Sequence, residues 1–290
     1  MGFITFETVQ NSLSLQWLDK KDAPEFFGKM IAAKSVASVF AFSLVWLLFE
    51  WLHLDYIWLY AIAGTISMLI ALYSFVNFPS FPQKVYQNKK LILRKRYWLY
   101  YALQFMGGAR RQIFVVFAGF LMVEKFGFSV GEISVLFLVN ASFNIIFAPW
   151  IGKLIGQIGE RRALILEYIG LIAVFTGYAL VENSNIAVVL YILDHLFFAM
   201  AIAQKTYFQK IANPADIAST AGVSFTINHI AAVVIPVIFG TLWIYSPSLV
   251  FYAGAVMAVI SLVLAFNVPR HPSLGNETVI GRLGDHTAEA

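Results

Sequence analysis

The sequence predicts an all-α polytopic membrane protein with about eight transmembrane helices, and three observations carry that prediction. Hydrophobic residues make up 60% of the 290 and charged residues 12%, against roughly 45–50% and about 25% in soluble domains. So few polar side chains cannot cover a water-facing surface. Apolar runs reach the ~20 residues a spanning helix needs, and they do so eight times, with breakers and charges collected between them. Membrane β-strands are excluded, because those are only about 9–11 residues long and alternate in polarity. The chain has no Cys, which removes disulfides, thiolate metal sites and thiol nucleophiles from consideration.

In chain order, residues 1–29 read as a cytoplasmic N-terminal segment. Glu7, Asp19, Lys20, Lys21, Asp22 and Glu25 interrupt it, so it lacks the apolar core of a signal peptide. Two spans follow at 30–50 and 56–78, parted at Asp55. Residues 79–97 form a basic cytoplasmic linker, opening with Pro79 and Pro82 and ending in Lys89-Lys90 and Arg94-Lys95-Arg96. Such a loop is expected to touch anionic lipid, and no nucleic-acid partner is expected. Six further spans lie at 98–122, 130–151, 163–181, 187–208, 217–243 and 249–268. Gly127-Phe128-Ser129, Glu182-Asn183-Ser184-Asn185, Asn213-Pro214-Ala215-Asp216 and Ser246-Pro247-Ser248 mark turns between them. The polar tail, 269–290, is expected to be cytoplasmic and mobile. Its Asn276-Glu277-Thr278 fits a glycosylation pattern that is idle on that side of the membrane.

Orientation follows from the basic residues. With the N-terminal segment inside and eight helices alternating, 17 of the 20 Lys and Arg fall on the cytoplasmic side. Lys125 alone falls outside, and Arg110 and Arg111 lie within a span. This asymmetry sets topology, and a wrong span count would scramble it. Trp46, Trp51, Trp58, Trp98, Trp150 and Trp243 sit near span ends, where an indole can face headgroups. Both termini are therefore expected in the cytoplasm, with the protein in a bacterial cytoplasmic membrane.

Polar groups inside spans are costly, about 2.5–3.5 kcal/mol for a central Arg or Asp, so their positions can be read as a site. Arg110 and Arg111 lie about 18–20 Å along the third span from Trp98, too deep to snorkel. One is expected to face a cavity and the other a neighbouring helix, and Gly107-Gly108 before them suggests a bend. Asp194 and His195 in the sixth span, Asn228 and His229 in the seventh, and Asn140 and Asn144 in the fourth place polar groups at comparable depth. Convergence of four helices describes a membrane-embedded polar site. Glu167 is expected near the cytoplasm, pairing with Arg161 or Arg162 or favouring a helix N-terminus. Gln204 and Lys205 read as anchors, His53, His271 and His286 as loop and tail residues, and Pro149 and Pro236 as kinks.

Enzyme signatures (H-E-x-x-H, G-x-S-x-G, the P-loop and G-x-G-x-x-G) are absent from the sequence, so no cofactor is expected. Without a P-loop, the chain is not expected to hydrolyse ATP itself.

The stretch Gly152-Lys153-Leu154-Ile155-Gly156-Gln157-Ile158-Gly159-Glu160-Arg161-Arg162 resembles the cytoplasmic signature of the major facilitator superfamily, G-x-L-x-D-R-x-G-R-R. Gly152, Leu154, Gly159 and Arg161 match in place. Gly156 stands where the family has Asp, and Gln157 and Glu160 where it has basic residues. The resemblance implies that the spans correspond to the fifth to twelfth family helices. Residues 98–268 would then be a complete C-terminal six-helix bundle, 30–78 a remnant of the N-terminal bundle, and about four helices would be lacking, so this chain alone is not expected to alternate access. It also implies that Arg110 and Arg111 lie on the seventh family helix, Asn140 and Asn144 on the eighth, Asp194 and His195 on the tenth, and Asn228 and His229 on the eleventh.

The expected function is secondary active transport of a small, anionic solute by a monomer, with Asp194 and His195 as candidates for proton coupling. Two alternatives are a membrane-embedded enzyme using Asp194 and His195 as an acid–base pair on a lipid-linked substrate, and a non-transporting sensor or assembly protein.

Overall fold

The structure, a computed structural model, describes residues 2–48, 53, 55–77, 85–88 and 90–281. Trp51, Pro79, Pro82, Lys84, Lys89, Arg282 and His286 lie outside the described residues, as does the Trp46 side chain. Among the described residues, eight helical stretches are long and apolar enough to cross a membrane: Ala23–Leu44, Tyr60–Asn77, Lys95–Lys125, Gly131–Ile158, Glu160–Leu180, Ser184–Ile211, Pro214–Tyr245 and Pro247–Phe266.

Residues 2–17, expected within a polar segment, form helix α1 (Gly2–Trp17). It packs on the sixth and seventh spans and is tied there by Gln209, whose Nε2 donates to the carbonyls of Leu15 (3.0 Å) and Leu18 (2.8 Å). The first span, α2 (Ala23–Trp46), begins seven residues before the expected 30 because Pro24 sits in its first turn, where the missing N–H costs nothing. Lys29 does not delay it, since Glu25 pairs with it one turn away at 2.8 Å. Span two, α3 (Tyr56–Asn77), has no buried residue in its apolar stretch.

The third span opens with a 3-10 turn at Lys95–Tyr97 and continues as α4 (Trp98–Gln112), a π-helical segment (Ile113–Ala118) and α5 (Gly119–Glu124). The irregularity therefore follows the arginine pair rather than falling at Gly107-Gly108. The wider turn lets Phe114 reach Tyr191 (4.9 Å between centroids) while Phe117 reaches Trp243 (5.5 Å). Gly108 serves close approach instead: a Cβ there would lie 2.8 Å from Asn228 Oδ1.

Next come α6 (Val130–Ile158) and α7 (Glu160–Leu180). A capping box at Ser129 and Glu132 starts α6, and Gly159 at φ +83° makes the sharp turn into α7. The sixth span divides into α8 (Ser184–Ala199) and α9 (Ile202–Ile211), and i→i−3 bonds such as Met200 N–H to Phe197 O tighten the chain at the break. This break was not expected, as neither Pro nor Gly marks it. By contrast α6 and α10 (Ile217–Tyr245) run uninterrupted through Pro149 and Pro236, and α11 (Pro247–Phe266) closes the set. Helices α2 and α6 cross closely where Gly28 faces the Ala148 carbonyl and Gly152 faces the Pro24 carbonyl.

The loop ends of the bundle correct two expectations. Arg94 and Arg96 of the linker do not reach for lipid: Arg94 pairs with Asp216 at 3.2 Å and Arg96 with Glu277. Asn88 Nδ2 also donates to Asp216 Oδ1 (2.8 Å), and Ser219 Oγ donates to the Lys90 carbonyl (2.8 Å). Through residue 281 the tail is docked rather than mobile. Tyr207 OH donates to the Glu277 carbonyl (2.5 Å), Trp98 Nε1 to the Gly281 carbonyl (3.0 Å), and the backbone N–H groups of Val279 and Ile280 bond Asn267. A polar segment can be held this firmly because its backbone carbonyl and N–H groups at Glu277, Val279, Ile280 and Gly281 find partners.

Candidate functional site: a polar cavity among the spans

A cavity of about 440 Å³ lies among α1, α2, α4, α6, α7, α8, α9 and α10. Its polar wall includes Arg110 and Arg111 of α4, Asn144 of α6, His195 of α8, and Asn228 and His229 of α10, six of the eight residues expected from the sequence. The other two turn away. Asn140 and Asp194 are buried (1% and 0% exposed) but do not line the cavity.

The adjacent arginines diverge by about 100° on the helix. Arg110 is 1% exposed. Its Nε donates back to the Met106 carbonyl (3.2 Å), its Nη2 lies 3.7 Å from Glu167 Oε1, and its guanidinium stacks over the Tyr168 ring at 4.4 Å. Arg111 is exposed to the cavity and, among the described residues, has no carboxylate within ion-pair distance. Glu167 therefore belongs to this site: it is 2% exposed and its partner is Arg110, not Arg161 or Arg162.

Asp194 faces the protein interior, where neither of its oxygens has a hydrogen-bond partner among the described residues. Arg110, Tyr178 and Tyr191 lie within its electrostatic reach. Phe137 of α6 meets Tyr191 of α8 (6.4 Å), so the next turn of each helix sets Asn140 level with Asp194, and the turn after sets Asn144 level with Phe198. His195 leans on Phe114 (5.2 Å), and its Nδ1 has no hydrogen-bond partner among the described residues. His229 is stacked on Phe225 (3.8 Å), its Nδ1 2.9 Å from the Phe225 carbonyl.

Sequence reasoning missed Glu167, Gln204, Lys205 and Asn11. Gln204 Nε2 donates to Tyr168 OH (3.0 Å); Lys205 Nζ donates to Asn11 Oδ1 (3.2 Å) and lies 5.5 Å from the Phe27 ring. All four line the cavity, so Gln204 and Lys205 are not interfacial anchors. A signal for Lys205 existed: positions 195, 198, 202 and 205 recur with helical spacing on one face.

Of the loop motif, Gly152 makes the α2 contact described above, Gly159 supplies the turn into α7, Leu154 is half-buried and Arg161 faces a second recess at the bundle end. A Cβ at Gly156, where the family has Asp, would meet nothing within 4 Å. Among the described residues no group of three or more His, Asp or Glu could hold a metal ion.

Eight apolar spans among the described residues, six of them lining a shared polar cavity, describe an integral membrane protein. The chain belongs to the major facilitator superfamily, whose family model matches residues 1–236 and, overlapping, 100–282. It is similar to an uncharacterized MFS-type transporter of Methanocaldococcus jannaschii, with 31% identity over 152 residues. That match covers 51% of this chain and 37% of the relative, so the chain spans little more than a third of the relative's length. The family is one of membrane transporters and not of enzymes.

Proposed function

We propose that the protein is a secondary transporter of a small anionic solute, bound in the central cavity and moved by rocking of one group of helices against another. The observation that carries this is the charge of the wall. Its one acid among the described residues, Glu167, is already matched by Arg110, while Arg111 faces the cavity with no carboxylate within ion-pair distance among the described residues. A cation facing a cavity inside the spans is costly to leave unmatched, and a carboxylate or phosphate on the solute would offset it through charge-assisted hydrogen bonds. A volume of about 440 Å³ suits a small solute. The irregular segments at Ile113–Ala118 and Met200–Ala201 flank the cavity and supply bending points.

Proton coupling has a physical basis in the cluster beside the cavity. Arg110, Glu167 and Asp194 together carry one negative charge in excess when all three are ionised, so a proton there restores neutrality. The face bearing the linker, the α6–α7 turn and the tail is assigned to the cytoplasm by its Lys and Arg.

The test is uptake by the reconstituted protein of labelled small carboxylates, phosphate esters, neutral sugars and organic cations. Uptake confined to anions, stimulated by an inward proton gradient and abolished in Arg111→Gln, is expected, with Asp194→Asn losing the response to the gradient. Uptake of a neutral or cationic solute, unchanged in Arg111→Gln, would refute the proposal.

A further inference from the structure

The molecule has a second recess, separate from the cavity and more strongly charged. It has a volume of about 1080 Å³ and lies where several spans end, bordered by Ile158 of α6, Glu160 of α7, Lys210 of α9 and Phe266 of α11. Span ends sit at the depth of lipid headgroups. Five cations line it: Lys20, Arg161, Arg162, Lys210 and Arg270. Among the described residues the one acid on its wall is Glu160, which is 1% exposed and held by Lys210 at 2.6 Å. Lys20 Nζ is directed to the Lys210 carbonyl (3.2 Å), which fixes the N-terminal loop against the same edge.

The arginines of this face fall into two sets. Arg94 and Arg96 each have a carboxylate, supplied by Asp216 and Glu277. Arg161, Arg162 and Arg270 have no carboxylate within ion-pair distance among the described residues, though they border a common hollow. Mutual repulsion around a partly enclosed space is relieved by an anion that several guanidinium groups grip at once. The backbone adds to this. Helix α7, 21 residues long, begins at the rim behind Gly159, which has no side chain to cap the first-turn N–H groups.

We infer that this recess is a binding site for a phosphate-bearing ligand, distinct from the solute cavity, with Arg161, Arg162 and Arg270 as its principal contacts. Lys20 supplies further charge, and the Glu160–Lys210 pair forms its floor. The ligand chemistry is shared by an anionic lipid headgroup and by a soluble polyphosphate, and occupancy would link the α6–α7 turn, the end of α9 and the tail.

The test uses the full chain in phosphatidylcholine nanodiscs and follows thermal unfolding. One arm adds inorganic pyrophosphate, with sodium chloride of equal ionic strength as control; the other replaces part of the lipid with phosphatidylglycerol. A rise in unfolding temperature beyond the chloride control is expected in at least one arm. Pyrophosphate alone acting identifies a soluble ligand, and phosphatidylglycerol alone acting identifies a headgroup. Arg161→Gln with Arg162→Gln should weaken binding about tenfold or more. Arg270→Gln, which lies beyond the last span, serves if the double variant does not fold. Arg94→Gln, on the carboxylate-paired side, should leave the midpoint of the titration unmoved. No rise in either arm, or an equal rise in wild type and Arg270→Gln, would overturn the inference.

Discussion

Helix α3 and the α4–α5 span are nearly equal in apolarity, with mean hydropathies of 1.5 and 1.3, yet none of the first is buried and half of the second is. Lipid tails and protein interior are equally good solvents for a leucine, so hydropathy reports that a segment crosses the membrane and not what it packs against. What separates the two is polarity at depth. The α4–α5 span carries Arg110, whose guanidinium meets Glu167 and Tyr168 and so ties α7 to it. In α3, Met68, Tyr73, Phe75 and their neighbours are turned outward, and a Cβ at Gly64 would meet nothing within 4 Å.

Removing one partner of the buried pair should break this contrast most forcefully. Arg110→Leu leaves the Glu167 carboxylate uncompensated and should cost about 3–5 kcal/mol, read as loss of folded protein in denaturant titrations. Replacing Glu167 by Leu as well should recover most of that loss. Phe75→Leu in α3 should stay within about 0.5 kcal/mol.

Backbone packing gives the next effect. Gly28→Ala places a Cβ 2.3 Å from the Ala148 carbonyl, and forcing α2 and α6 apart should cost about 1–3 kcal/mol. The same change at Gly64 should be neutral or stabilising by up to about 1 kcal/mol, because alanine favours the helix. Equal effects at the two glycines would erase the distinction between packed and lipid-facing helices.

The smallest effect is at the tail, which is polar yet packed, the reverse of α3. Burial pushes the Glu277 carboxyl up, but the Arg96 hydrogen bond and the Gly275 N–H outweigh it and hold it below the usual range. A lowered folded value means docking is fully supported above the ordinary glutamate range and fails as acid protonates Glu277 below it. Faster amide exchange at Val279 and Ile280 is therefore expected in acid, and in Glu277→Gln at neutral pH.

Span number and most span edges were legible because length and apolarity alone decide them; 56–78 against Tyr56–Asn77 and 249–268 against Pro247–Phe266 are examples. The start of α2 was misjudged since lysines that pair within a helix look like stops. The partner of Glu167 was illegible, because an ion pair between distant helices leaves no local pattern. Docking of the linker and tail left no signal either, as it rests on ion pairs and single hydrogen bonds between residues far apart in the chain rather than on a periodic apolar face. Depth in a span could be counted from the sequence, and so the polar positions could be chosen; which way each side chain turns depends on helix rotation, and that separated Asn144 from Asn140.

The central claim is that polar groups from several helices share one cavity from which Asn140 and Asp194 are turned away. Because the native chain has no Cys, single substitutions Asn144→Cys, Asn228→Cys and Asn140→Cys can be compared directly for reaction with a small water-soluble thiol reagent. Fast modification at 144 and 228 with little at 140 is the predicted result. Equal rates at all three, or protection at 144 and 228, would contradict the account.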